Sequence, residues 1–126
     1  MHAHNDSDVE AKGSAPRVTM QDMEKDIVCE VFFTAFEGAR GAPDSIKLNP
    51  SATPIPIPEL DKALKVLTFC VLVLRNGFTV TGESACVSPE AFDPDIGKQL
   101  AWQKAIDKLW SLHGYALKER LFKGVS

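Results

Sequence analysis

The sequence predicts an α+β fold: an antiparallel, hairpin-centred sheet packed by two main helices, with a short C-terminal helix after them. Three observations predict it. Leu67–Val87, LTFCVLVLRNGFTVTGESACV, divides into two β-rich halves at Asn76-Gly77. Met20, Met23, Ile27 and Val31 recur at helical spacing, and so do Trp102, Ile106, Leu109 and Trp110. Asn-Gly between apolar runs is the strongest short-range hairpin signal, because a two-residue type I′ turn needs φ > 0 at both central positions. Such a turn pairs Arg75 with Phe78, Val73 with Val80, Val71 with Gly82 and Phe69 with Ser84 on one face. The other face then holds Leu74 with Thr79, Leu72 with Thr81 and Cys70 with Glu83. The first strand is apolar on both faces and is expected to be covered on both, by helices or by another subunit.

Taken in order, residues 1–16 read as a flexible polar leader, and residues 17–126 as a single α+β domain. Thr19 is a helix N-cap with Asp22 three residues on, opening one amphipathic helix from about Met20 to Phe36. A Pro-rich loop follows at 37–65. Its TPIPIPE stretch should run extended or as polyproline II, with a helical turn over Glu59–Lys65 before the first strand. A third strand is left open, either from this loop or from a second subunit. After the hairpin, Ser88-Pro89-Glu90 starts one short turn holding Phe92, and Asp93-Pro94-Asp95 starts a longer helix. That helix should end near Leu112 at His113-Gly114, with His113 as a helix-end cation and Tyr115–Phe122 as a separate short helix.

Composition excludes several classes. An apolar content of 44% and a charged content of 25% are those of an ordinary globular chain. No apolar run approaches the roughly 20 residues that span a bilayer. The start, MHAHNDSDVEAKGSAP, lacks the basic and apolar regions of a secretory signal, so a cytoplasmic protein without membrane contact is expected. Cys29, Cys70 and Cys86 lack CxxC spacing and are expected as buried free thiols, with Cys70 and Cys86 on opposite faces of the hairpin. Charge is uneven: Lys98, Lys104, Lys108, Lys118, Arg120 and Lys123 face only Asp107 and Glu119, a net +4 in a chain of −3. The first five of these residues form a candidate basic face.

No P-loop, GxGxxG, HExxH, zinc spacing or GxSxG is present, so no catalytic residue, metal or cofactor is assigned. His2-Ala3-His4 is too sparse for a metal site. Arg75 and Phe78 at the hairpin tip have the chemistry of an interface anchor. Thr79, Thr81, Glu83 and Ser84 offer polar contacts beside Gly82, a strand glycine that permits a bulge or a close backbone approach. The plain alternative is a Gly bulge with Glu83 paired to a lysine. Trp102 and Trp110, eight residues apart, are expected in the core.

The stretch from Leu67 to Leu121, with NGFTVTGESACVSPE and a downstream helix closing in Gly-Tyr and Leu-x-x-Arg-Leu, resembles a small family of phage and prophage proteins. The family is named after gene 49 of one podophage and gene 66 of another. Arg17–Phe36 is also similar, while the Pro-rich loop is expected to vary. The resemblance implies a phage or prophage accessory protein working in the bacterial host cytoplasm, and it carries no catalytic residues across. It draws attention to Asn76, Gly77, Thr81, Gly82, Glu83, Ser84 and Phe92. The leading functional expectation is a non-catalytic protein that binds a host component, such as a defence or replication protein, and forms a homodimer around the hairpin. Capture of a nucleotide signal is one alternative. Nucleic-acid binding through the basic C-terminal helices is another, against which the acidic total counts.

Overall fold

A computed structural model describes residues 15–124, so nearly all of the expected leader, His2 and His4 included, lies outside the described residues. The first helix, α1 (Met20–Asp26), opens on the capping box that the sequence announces. Thr19 N–H donates to Asp22 Oδ2 at 2.9 Å, and Asp22 N–H donates to Thr19 Oγ1 at 3.1 Å. It does not run on to Phe36. Ile27–Thr34, IVCEVFFT, is a strand, β1. Its β-branched and aromatic residues favour a pleated surface, and a strand lets the adjacent Phe32 and Phe33 pack on opposite sides. The spacing of Met20, Met23, Ile27 and Val31 fits a helix only because it ignores what lies between them. A second capping box, Thr34 with Glu37, then opens α2 (Ala35–Gly41).

The Pro-rich segment holds a single 3₁₀ turn, Pro43–Ser45, and a polyproline-like Pro56 at φ −61°, ψ 145°. It then enters α3 (Ile57–Lys65), two residues longer than the expected turn. Lys65 Nζ lies 4.6 Å, and the Arg40 guanidinium 5.4 Å, from the Phe36 ring centroid, which ties α2 to α3.

Strands β2 (Leu67–Leu74) and β3 (Thr79–Ala85) form the expected hairpin, but with a different turn. Leu74 O accepts from Gly77 N–H, and Leu74 N–H donates to Phe78 O, each at 2.8 Å. This is a three-residue loop, Arg75-Asn76-Gly77, in which only Gly77 has positive φ (+88°). Asn76 serves through its side chain, its Oδ1 accepting Phe78 N–H at 2.9 Å. The register therefore moves by one residue: Val71 faces Thr81, Cys70 faces Gly82 and Phe69 faces Glu83. A one-residue move transfers the whole of β3 to the other face relative to β2.

The third strand of the sheet is β1, in the antiparallel order β1-β2-β3. It pairs Val31 with Val71 and Phe33 with Phe69, after an irregularity between Ile27 and Cys29. One helix, α4 (Pro94–Phe122), covers one face of the sheet. It passes through Gly114 without a break, where a stop was expected. A glycine inside a helix weakens it by about 1 kcal/mol but does not end it, and the helix is tied down beside this point by the contact of His113 with Asp26. The core lies between α4 and the sheet: Cys70, Leu72, Leu74 and Val80 against Ala101, Ala105, Ile106 and Leu109, with Met23 of α1 closing one end. Trp102 and Trp110, expected in the core, are only partly buried and pack at its margin.

Gly82 explains why helix and hairpin fit. A Cβ there would lie 2.5 Å from Ala105 N and closer still to Ala101 O. The strand register is continuous through it, so Gly82 makes a close approach and not a bulge. Two cysteine expectations are corrected. Cys29 is exposed, not buried. The shifted register gives Cys86 the same alternation as Cys70's partner Gly82, so opposite faces do not separate the two thiols. Cys86 instead lies across from Val66, donating its N–H to Val66 O at 3.0 Å, about 13 Å along the sheet from Cys70.

Candidate functional site

At the hairpin tip three elements meet over one aspartate. Asp26 closes α1, and its backbone carbonyl accepts Arg75 N–H at 2.9 Å. Its Oδ1 also accepts Arg75 N–H, at 3.3 Å, and lies 3.6 Å from Arg75 Nε. Its Oδ2 lies 2.8 Å from Nε2 of His113 on α4. Asp26 and His113 are largely shielded from water, whereas the Arg75 side chain is 73% exposed. Beside them opens a cavity of about 570 Å³, walled by Val18, Leu74, Leu109 and Leu112 and rimmed by Arg17, Arg75, Phe78 and Arg120. Asp22 also lines it. Its carboxyl is held below the ordinary 3.8, first by the backbone hydrogen bond from Thr19; burial opposes this, and the Thr19 hydroxyl, His113 and Lys25 add to it.

The second feature is the sheet face away from α4. It carries Val31 and Phe33 of β1, Phe69, Val71 and Val73 of β2, and Thr79, Thr81 and Glu83 of β3. Helices α2 and α3 reach one end of it, where Phe33 and Phe69 stack at 5.5 Å. The remainder is open: Val31 is 42% exposed, and Thr79, Thr81 and Glu83 are exposed. The expected cover on both sides of β2 is therefore present on one side and partial on the other. On the α4 side, Trp102 donates its indole N–H to Glu30 Oε2 at 2.8 Å beside the edge of β1. Burial, with the charge of Glu30 adding to it, pushes the Cys70 thiol up to about 11.

The residues singled out from the sequence distribute over both features. Arg75 and Phe78 line the tip cavity together. Thr79, Thr81 and Glu83 share the open face, while Ser84 is buried on the opposite side and does not join them. The basic residues do not make one face. At about 100° per residue, Lys98 stands about 120° and Arg120 about 160° around the helix from Lys104. Lys104 and Lys108 are neighbours one turn apart, Lys98 lines a groove with Glu30, and Arg120 reaches the tip cavity. Asp26 and His113, central to the tip, are a pair that no sequence motif marks. They are 87 residues apart, and nothing local in the sequence connects them. Among the described residues no group of three His, Cys, Asp or Glu could hold a metal ion, and no helix is long and apolar enough to cross a membrane.

Residues 18–121 match the family model described as the phage protein (N4 Gp49/phage Sf6 gene 66) family. The chain belongs to this family. The match spans α1 to the last turn of α4, so the open sheet face lies within it, and so does the tip cavity apart from Arg17. Comparison with the curated proteins and with solved structures finds no match.

Proposed function

We propose that this phage-family protein is a non-catalytic accessory protein that binds a host bacterial protein, a defence or replication component, in the host cytoplasm. The observation that carries this reading is the open sheet face. An apolar centre of Val31, Val71 and Val73 is bordered by Thr79, Thr81 and Glu83, the apolar-core and polar-rim arrangement of protein interfaces. Its rigid pleated backbone can be covered by a partner without rearrangement. Membership of a phage family supports a target in the infected cell.

The test is capture from bacterial lysate with tagged wild-type protein beside a Val31→Lys/Thr81→Lys double variant. Both positions are exposed, so an unchanged unfolding midpoint should accompany the substitutions. A stoichiometric host protein held by the wild type and lost from the variant is expected. Capture that survives in this variant but is lost in Arg75→Ala/Phe78→Ala refutes the assignment to the open face. Light scattering of the captured and free protein separates a host partner from a homodimer seated on the same face.

A further inference from the structure

We propose that the cavity at the hairpin tip is a binding site for a nucleotide, with the phosphate held by Arg75 and Arg120 and the base against Phe78. The site is independent of the open sheet face. Its cations come from three places distant in sequence: Arg17 ahead of α1, Arg75 in the turn, and Arg120 near the end of α4. In a chain with more acids than bases, guanidinium groups lining one concavity offer the planar donor forks that phosphate oxygens accept, and Arg75 and Arg120 are the exposed ones.

The two carboxylates in the cavity are already engaged. Asp22 accepts the Thr19 N–H, and Asp26 is held by His113 and by the Arg75 backbone. Asp26 thereby fixes where the Arg75 side chain leaves the main chain, while the exposed guanidinium keeps its terminal nitrogens for a ligand. Arg120 makes no ion pair among the described residues. The lining is mixed: Val18, Leu74, Leu109 and Leu112 stand beside the charged residues, and Phe78, 57% exposed, offers an aromatic surface on which a base can stack. A cavity of about 570 Å³ is in the range that small-molecule sites occupy. Phosphate alone would leave Phe78 and the aliphatic side chains beside it unused, and a free base would leave the arginines unused.

The experiment is calorimetric titration of the full chain with the adenosine, guanosine, cytidine and uridine 5′-mono- and diphosphates, the corresponding nucleosides, and inorganic phosphate. Saturable binding of at least one nucleotide is expected, tighter by tenfold or more than its nucleoside and than phosphate. Arg120→Ala and Phe78→Ala should each weaken it by at least tenfold, with Arg120→Lys retaining part. Both side chains are exposed, so the unfolding midpoint should stay within a few degrees of wild type. No saturable binding at millimolar nucleotide overturns the proposal, and so does binding that ignores both substitutions. Equal affinity for phosphate and nucleotide overturns the role given to Phe78. The Val31→Lys/Thr81→Lys variant should bind nucleotide as wild type does, which separates failure here from failure of the protein-binding reading.

Discussion

Replacing Gly82 by alanine tests the packing of the whole domain with a single methyl group. The added carbon would lie 2.5 Å from Ala105 N and 3.1 Å from Lys104 C, against an ordinary contact of 3.4 Å or more. The obstructing atoms are helix backbone, which cannot rotate aside as a side chain can. Either α4 or β3 must therefore withdraw by about 1 Å, and a gap of 0.5–1 Å already forfeits roughly a quarter to a half of each dispersion contact across it. Ala101, Ala105, Ile106 and Leu109 all lose contact with Cys70, Leu72 and Val80 together. Overpacking typically costs about 1–3 kcal/mol, and a displaced backbone places this case at about 3 kcal/mol or above. A domain of this size has a total stability on the order of 5–15 kcal/mol. Guanidinium unfolding followed by circular dichroism measures the loss, with Gly41→Ala as the control because nothing lies within 4 Å of its added carbon. A loss below about 1 kcal/mol for Gly82→Ala, with helix content intact, would refute the close packing argued from this glycine.

Gly114→Ala should stabilise the protein by about 0.5–1 kcal/mol, because the position is helix interior with open space around it; a loss on denaturant unfolding would show that the helix does break there. The depressed Asp22 carboxyl contributes stability that is present above its ordinary 3.8 and lost as pH falls through its lower folded value. Asp22→Asn should accordingly lower stability at neutral pH and flatten its decline below pH 4, read from unfolding midpoints across an acid series. Iodoacetamide at pH 8 should label exposed Cys29 readily and leave Cys70 unmodified until the chain unfolds, since that thiol is buried and raised to about 11; peptide mass spectrometry distinguishes the sites.

What could be read from the chain was local. The Thr19–Asp22 box, the hairpin, the Ser88-Pro89 turn and the start of the last helix are all written within a few residues, and the structure contains each of them. Sequence and structure part where a distant contact decides between local options. Residues 27–34 satisfy a helical spacing and a strand composition at once, and pairing with β2, some forty residues onward, makes the choice. Asn76-Gly77 suits both a two-residue and a three-residue loop. The loop that forms puts Gly82, and not Thr81 or Glu83, beneath α4. At the site, Arg75 and Phe78 were legible because a turn exposes its residues, whereas Asp26 and His113 acquire their meaning only from the packing of α1 on α4.

At 29 residues α4 is about 44 Å long, against about 27 Å for an eight-residue strand, so the helix outruns the sheet that supports it. What lies beneath its far end is the opposite end of the described chain. Val18 and Asp22 share a cavity with Leu112, Ala116 and Arg120, and Asp26 holds His113. The beginning and the end of the described chain thus pack on each other, with Met23 anchoring them to the core of the sheet. Opening this packing exposes Met23 and breaks the Asp26 bonds but leaves the β2–β3 hairpin with the first half of α4 in place. Backbone amides of residues 17–26 and 113–122 should therefore exchange with solvent together and ahead of the strands, and a ligand seated at the tip would slow both ends at once.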